Sequence, residues 1–114
     1  MPKKRMKEPE KRFSVYVIEL DIAVLNIKKF SEKNPGYIEG KPCLYVGMTG
    51  HSPDKRFEQH KNGYRASKYP KKYGKWLRRR LYERFNPMTY EDAQKREVEL
   101  ARDLRKKGCG VWQN

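Results

Sequence analysis

From Phe13 to Leu20 the chain runs through Val15, Tyr16, Val17 and Ile18, a β-branched and aromatic stretch that predicts a strand with at least one buried face. Strand alternation makes Tyr16 project opposite Val15 and Val17. Residues 21–29 carry apolar groups at Ile22, Leu25 and Ile27, a helical pattern, before Asn34-Pro35-Gly36 marks a turn. After Pro42 a second strand is predicted from Cys43 to about Met48, pairing antiparallel with the first. Ser52-Pro53-Asp54 is a helix start, with a serine cap, proline in the first helical position and an acid in the first turn; Asn62-Gly63 stops that helix. Leu77, Leu81 and Phe85 recur every four residues, predicting an amphipathic helix in the second half of 64–85. A last helix begins at Thr89, with Glu91 and Asp92 in its first turn, and closes at Lys106, Lys107 and Gly108.

The last helix contains an anomaly. With Ala93 at zero and about 100° per residue, Leu100, Leu104 and Ala101 fall at about 340°, 20° and 80°, and Glu97 at about 40°. Glu97 therefore sits inside the apolar stripe, whereas Glu99, at about 240°, faces solvent. A carboxylate turned to a core needs a cation, a metal or hydrogen bonds to receive it. A structural ion pair and a functional carboxylate both satisfy that need.

A second concentration of chemistry lies at the end of the second strand. Tyr45-Val46-Gly47 closes an apolar run, and Arg56 and His60 follow, four residues apart. On a helix that spacing puts both on one side, with Phe57 beside His60 facing the core. A phenol, a guanidinium and an imidazole near one strand end suit a phosphodiester.

Charge sharpens this picture. The 114 residues hold 28 Lys and Arg against 14 Asp and Glu, a formal charge of +14, and such a field draws polyanions. One small domain is the upper bound on size. Lys61, Arg65, Lys68, Lys71 and Lys72 begin a basic segment that continues through Lys75, Arg78 and Arg79, interleaved with Tyr64, Tyr69, Tyr73 and Trp76. The functional reading is a nucleic-acid surface in which cations meet phosphates and aromatics meet sugars or bases; the bland one is a solvated face with core tyrosines. Residues 1–12 alternate basic and acidic groups and read as a disordered basic arm, and its Pro2–Lys7 run carries little weight as an import signal in so cationic a chain. Cys43 and Cys109 lack zinc-site spacing and read as reduced structural thiols. No apolar stretch reaches the roughly 18 residues of a membrane span, no signal core opens the chain, and no basic helix has a continuous apolar face. The expectation is an intracellular protein, cytoplasmic or nucleoid-associated, with no membrane partner.

Taken in order, Tyr16 in Ser14-Val15-Tyr16-Val17-Ile18, then Tyr45-Val46-Gly47, then Arg56 and His60, then Glu97 in Ala93-x-x-x-Glu97 resemble the motifs of the GIY-YIG nuclease superfamily. The resemblance spans residues 13 to about 112 and lies in the ordered set more than in any one motif. It implies an α+β fold in which a small three-stranded antiparallel β-sheet is flanked by helices, with the third strand supplied by Gly110-Val111-Trp112 or by the region near Tyr64. It also implies a nuclease domain over 13–114, with residues 21–41 an insertion at the hairpin.

The activity implied is endonucleolytic hydrolysis of DNA with one divalent cation, Mg2+ or Mn2+. Glu97 would be its sole protein ligand, and Tyr45 or Tyr16 would take the proton from water. Arg56 would hold the phosphate and stabilise phenolate, and His60 would hydrogen-bond the water or the tyrosine. Four departures accompany the resemblance. Ser14 stands where the first motif has glycine, and 28 residues separate the two tyrosines, more than is usual. Met48 occupies a place where some members have lysine, and Asn114 follows Glu97 at 17 residues as a weak match to a closing asparagine. Specificity would come from 21–41 and the basic segment, from DNA shape, or from a partner protein; double-strand cleavage would need a homodimer or two sequential events. The alternatives are a non-catalytic module binding DNA or structured RNA on the same fold, and a structural protein whose tyrosines and Glu97 are core and ion pair.

Overall fold

The computed structural model describes residues 10–113. Ser14–Leu20 (β1) and Cys43–Thr49 (β2) are buried at six of seven positions each, which is why both read as nearly unbroken apolar runs. They pair antiparallel from Ser14 opposite Thr49 to Leu20 opposite Cys43. Gly74–Leu77 (β3) adds antiparallel to the other side of β1, and Gly110–Gln113 (β4) adds parallel to β2. The strand order is β3-β1-β2-β4.

The fold is therefore α+β, but the sheet is four-stranded and mixed rather than three-stranded and antiparallel. Gly110-Val111-Trp112 supplies the fourth, parallel strand, reached from β2 by a long crossover that contains helices, as a parallel partner requires. The third antiparallel strand comes from a stretch that the Leu77/Leu81/Phe85 spacing assigns to a helix. There the chain forms a short helix, Lys68–Tyr73 (α3), then β3, then two single 3-10 turns at Arg79–Leu81 and Glu83–Phe85. Gly74 makes the break: a Cβ there would run into the carbonyl of Pro70, so the chain leaves α3 directly into an edge strand. Pairing with β1 outweighs the local four-residue period.

The helix signals elsewhere hold. Pro53–Asn62 (α2) is capped by Ser52, whose hydroxyl accepts the Lys55 N–H, and ends at Gly63 with φ 85°. Tyr90–Lys106 (α4) is capped by Thr89, which accepts from Asp92 N–H. Its stripe of Ala93, Leu100, Ala101 and Leu104 is buried against β1, β2 and β4.

Residues 21–41 are integral to this core. They form a 3-10 turn at Ile22–Asn26 and a short helix at Lys28–Glu32 (α1), and contribute buried Val24, Phe30 and Asn34. Phe30 joins Tyr69 and Trp112 in an aromatic cluster. Asn34 binds β4 as a strand would, its Oδ1 accepting from Val111 N–H at 2.8 Å and its Nδ2 donating to Val111 O at 3.0 Å. Asn86 does the same beyond the end of β3, accepting from Val15 N–H at 2.9 Å and donating to Val15 O at 2.8 Å. Each edge of the sheet thus has one residue's backbone pair satisfied by an asparagine amide. Of the predicted arm, residues 10–12 are exposed and irregular, with a Glu10–Arg12 ion pair at 3.4 Å; residues 1–9 and Asn114 lie outside the described residues.

Candidate functional site

The β1–β2 register sets Tyr16 opposite Gly47 and Ile18 opposite Tyr45, so the two tyrosines are diagonal neighbours on one face. Their ring centroids are 6.2 Å apart and both are buried. Gly47 lies inside β2 and makes room for its partner: a Cβ there would stand 2.6 Å from Tyr16 Oη.

The side of α2 that carries Arg56 and His60 turns toward this pair, as their four-residue spacing predicts. His60 is fully buried, with Nε2 2.9 Å from Tyr16 Oη and Nδ1 accepting from the backbone N–H of Ser67 at 3.3 Å. Because Nδ1 is an acceptor, the proton of the neutral ring sits on Nε2, which donates to Tyr16 Oη. Burial, reinforced by the Arg56 charge, lowers the His60 pKa to about 4. Arg56 is itself held by carbonyls: Nη1 donates to Tyr64 O at 3.2 Å and Nη2 to Arg65 O at 2.8 Å, with Gln59 Oε1 3.3 Å from Nη1. Its side chain therefore fastens the loop after α2 as well as facing the tyrosines.

Burial raises both phenols. Tyr45 rises to about 12, drawn back by hydrogen bonding from Ser67 and Tyr16 and by the Arg56 charge; Tyr16 is raised further, mainly by burial and then by Tyr45, against the opposing pull of Arg56. Arg56 thus favours phenolate at both, but burial outweighs it.

Glu97 faces inward, 7% exposed, while Glu99 pairs with Arg96 at 3.5 Å on the half-exposed side of α4. Glu97 has no cationic partner among the described ion pairs, and its buried Oε2 has no hydrogen-bond partner. Burial lifts its pKa to about 7, moderated by the Gln113 side chain on β4. Its charge acts on both tyrosines, which places it in their neighbourhood. The bland reading of Glu97, an ion pair with a buried arginine, is not what this environment contains. An orphaned buried carboxylate oxygen with an amide close by is a donor set that suits one hard cation. Among the described residues, no three His, Cys, Asp or Glu side chains converge on a site that would bind a metal by protein ligands alone.

The predicted nucleic-acid contacts divide into two groups. Lys61 donates to Gly74 O at 2.8 Å and ties α2 to the start of β3. Arg78 pairs with Glu19 at 2.9 Å and Arg79 with Asp54 at 2.5 Å. Arg65, at φ 44°, lies over the Tyr64 ring. Lys68, Lys71, Lys72 and Lys75 are exposed, and three of them stand over the aromatic ring that follows in sequence. Trp76 is half-exposed on the edge strand β3, whereas Tyr69 is buried.

Two members of the cluster, Ser67 and Gln113, escaped sequence reasoning. Ser67 had a usable signal as a helix cap before Lys68, and its hydroxyl makes no capping bond, which leaves it for Tyr45. Nothing in the pattern marks Gln113. Met48 is half-buried against the core. No protein-family model, curated protein or solved structure matches the chain. No helix among the described residues is long and apolar enough to cross a membrane.

Proposed function

We propose that the chain is a small GIY-YIG-type endonuclease that hydrolyses DNA phosphodiester bonds with one divalent cation. The observation that carries this reading is Glu97, a carboxylate buried beside two tyrosines, with one oxygen left without a partner. Glu97 would hold Mg2+ or Mn2+, with Gln113 orienting its carboxylate. A cation so held supplies charge that stabilises the phosphate as negative charge grows on it.

The protein's own groups divide the remaining work. Ser67 N–H fixes the His60 tautomer, His60 Nε2–H donates to Tyr16 Oη, and Tyr16 is free to turn its proton to Tyr45. Every donor in that series stabilises negative charge at its end, and Tyr45 is the less perturbed phenol, so Tyr45 takes the proton from the attacking water. Phenolate there still requires added positive charge, because Arg56 alone leaves the pKa near 12. Arg56, already anchored by two carbonyls, has N–H groups left to meet a phosphate oxygen.

The test is nicking of supercoiled plasmid by wild type and Glu97→Ala, with Mg2+, Mn2+ or chelator. Metal-dependent nicking by wild type alone, with both proteins folded and both binding DNA, is the expected result; equal nicking by the two would remove the reading. The second reading, a non-catalytic nucleic-acid module, draws on the burial that raises the pKa of Tyr16 and Tyr45 and so opposes phenolate at either. Binding that weakens steeply with salt, without any metal-dependent product, would support it.

A further inference from the structure

The lysines of α3 frame a groove that no other group in the site uses. Ile27, Lys68, Lys71, Lys72 and Tyr73 enclose about 460 Å3 between α3 and the segment before α1. That volume is in the range of small-ligand pockets. Its walls are cationic and its floor, Ile27 and Tyr73, is apolar and half-buried. Among the described residues, no acidic side chain lines it and none of its three lysines takes part in an ion pair, in contrast to Arg78 and Arg79 next along the chain. Ser67, the residue before α3, donates its backbone N–H to His60, so the helix that carries these lysines is tied at its start to the tyrosine–histidine cluster.

Three exposed ammonium groups call for phosphates, and an apolar, aromatic floor calls for a flat uncharged surface between them. A nucleotide combines the two. In an intact duplex the bases are stacked and paired, and only the backbone would meet the lysines, leaving Ile27 and Tyr73 unused. An unpaired nucleotide can lay its base on the floor while its flanking phosphates reach the lysines.

We infer that this groove binds an unpaired nucleotide of DNA, so that the substrate is a single strand or a duplex with a single-stranded branch or overhang rather than an uninterrupted duplex. The inference rests on the nucleic-acid reading above and is tested without cleavage. Fluorescence anisotropy in chelator, over a series of salt concentrations, would follow a labelled single strand, the same sequence as blunt duplex, and a duplex with an overhang. Wild type is expected to bind the single strand and the overhang at least tenfold more tightly than the blunt duplex. The triple variant Lys68→Gln, Lys71→Gln, Lys72→Gln should weaken binding to both forms, and its log–log salt slope for single strand should be shallower by about 2, from three phosphate contacts at about 0.7 each. Ile27→Ser, which keeps every lysine, should weaken single-strand binding and leave blunt-duplex binding unchanged. Equal wild-type affinity for single strand and blunt duplex, or an unchanged slope in the folded triple variant, would overturn the inference. A chain that binds single strands through the groove yet never nicks DNA would refute the nuclease and leave the groove standing. A nicking chain whose triple variant keeps its slope would do the reverse.

Discussion

Asn34 and Glu97 are both buried polar side chains, 5% and 7% exposed, beside Val111 and Gln113 of β4 respectively, and their surroundings differ in kind. Asn34 has its whole amide in use: Nδ2 donates to Phe30 O at 2.8 Å and to Val111 O at 3.0 Å, while Oδ1 accepts from Val111 N–H at 2.8 Å and Arg105 Nε–H at 3.2 Å. Glu97 has an amide from Gln113 near it and an oxygen with nothing. A fully satisfied buried group fixes structure; a half-satisfied one lowers stability and persists where something else needs it. Asn34 thus holds β4 in place, whereas Glu97 leaves a buried oxygen unsatisfied.

The largest effect should come from the unsatisfied side of this comparison. Tyr45→Phe removes the proposed base and is expected to slow DNA nicking by about 10³-fold while the melting temperature stays within a few degrees of wild type. A variant that nicks at the wild-type rate would remove Tyr45 from the mechanism. On the satisfied side, Asn34→Ala strands the Val111 N–H and one hydrogen bond of Arg105, leaving Val111 C=O only its bond from Arg105 Nη2, and should lower stability by about 2–4 kcal/mol in urea unfolding. A loss under about 1 kcal/mol would mean that water replaces the amide without penalty.

Stability against pH sets the comparison in a third form. The folded Glu97 pKa of about 7 lies above its ordinary 4.5, so between those values the native state binds more protons than the unfolded chain, and this group makes stability fall as pH rises, by up to about 3 kcal/mol. His60, lowered to about 4 from 6.5, stays neutral when folded and binds its proton when unfolded, so its contribution rises with pH across that window. The two slopes oppose each other between pH 4.5 and 6.5. Wild type should be comparatively flat there, Glu97→Gln should gain a rising slope, and His60→Gln a falling one. Variants with parallel profiles would show that these groups do not set the pH dependence. The smallest effect is expected from Asn86→Ala, about 1–2 kcal/mol, because its bonds to Val15 are only partly buried; a loss equal to that at Asn34 would erase the distinction between the two sheet edges.

Legibility in the sequence followed the range of the interactions. β1, β2, α2 and α4 were readable because their signals are local: β-branched runs, Ser52-Pro53, Gly63, Thr89 and a clean apolar stripe. The wheel placed Glu97 inward from the same local information. β3 was not readable, since Lys75, Trp76 and Leu77 form a strand only by pairing with β1, and the period through Leu81 and Phe85 suggested a helix. The role of residues 21–41 was equally hidden, because Asn34 acts on Val111, 77 residues away in sequence. Of the candidate site, the tyrosines, Arg56 and His60 were legible from spacing. Ser67 and Gln113 reach the cluster through tertiary contacts that no spacing records.

Glu97 is a buried carboxyl with one oxygen unpartnered, and the proposed function has it hold a cation. Its titration, followed by NMR of 13C-labelled glutamate carboxyls with and without Mg2+ and assigned by the Glu97→Gln variant, tests this most directly. The expected midpoint is near pH 7 in the absence of metal, falling well below that when Mg2+ is added with DNA. A midpoint in the ordinary carboxylate range, unmoved by Mg2+, would remove Glu97 from the proposed role.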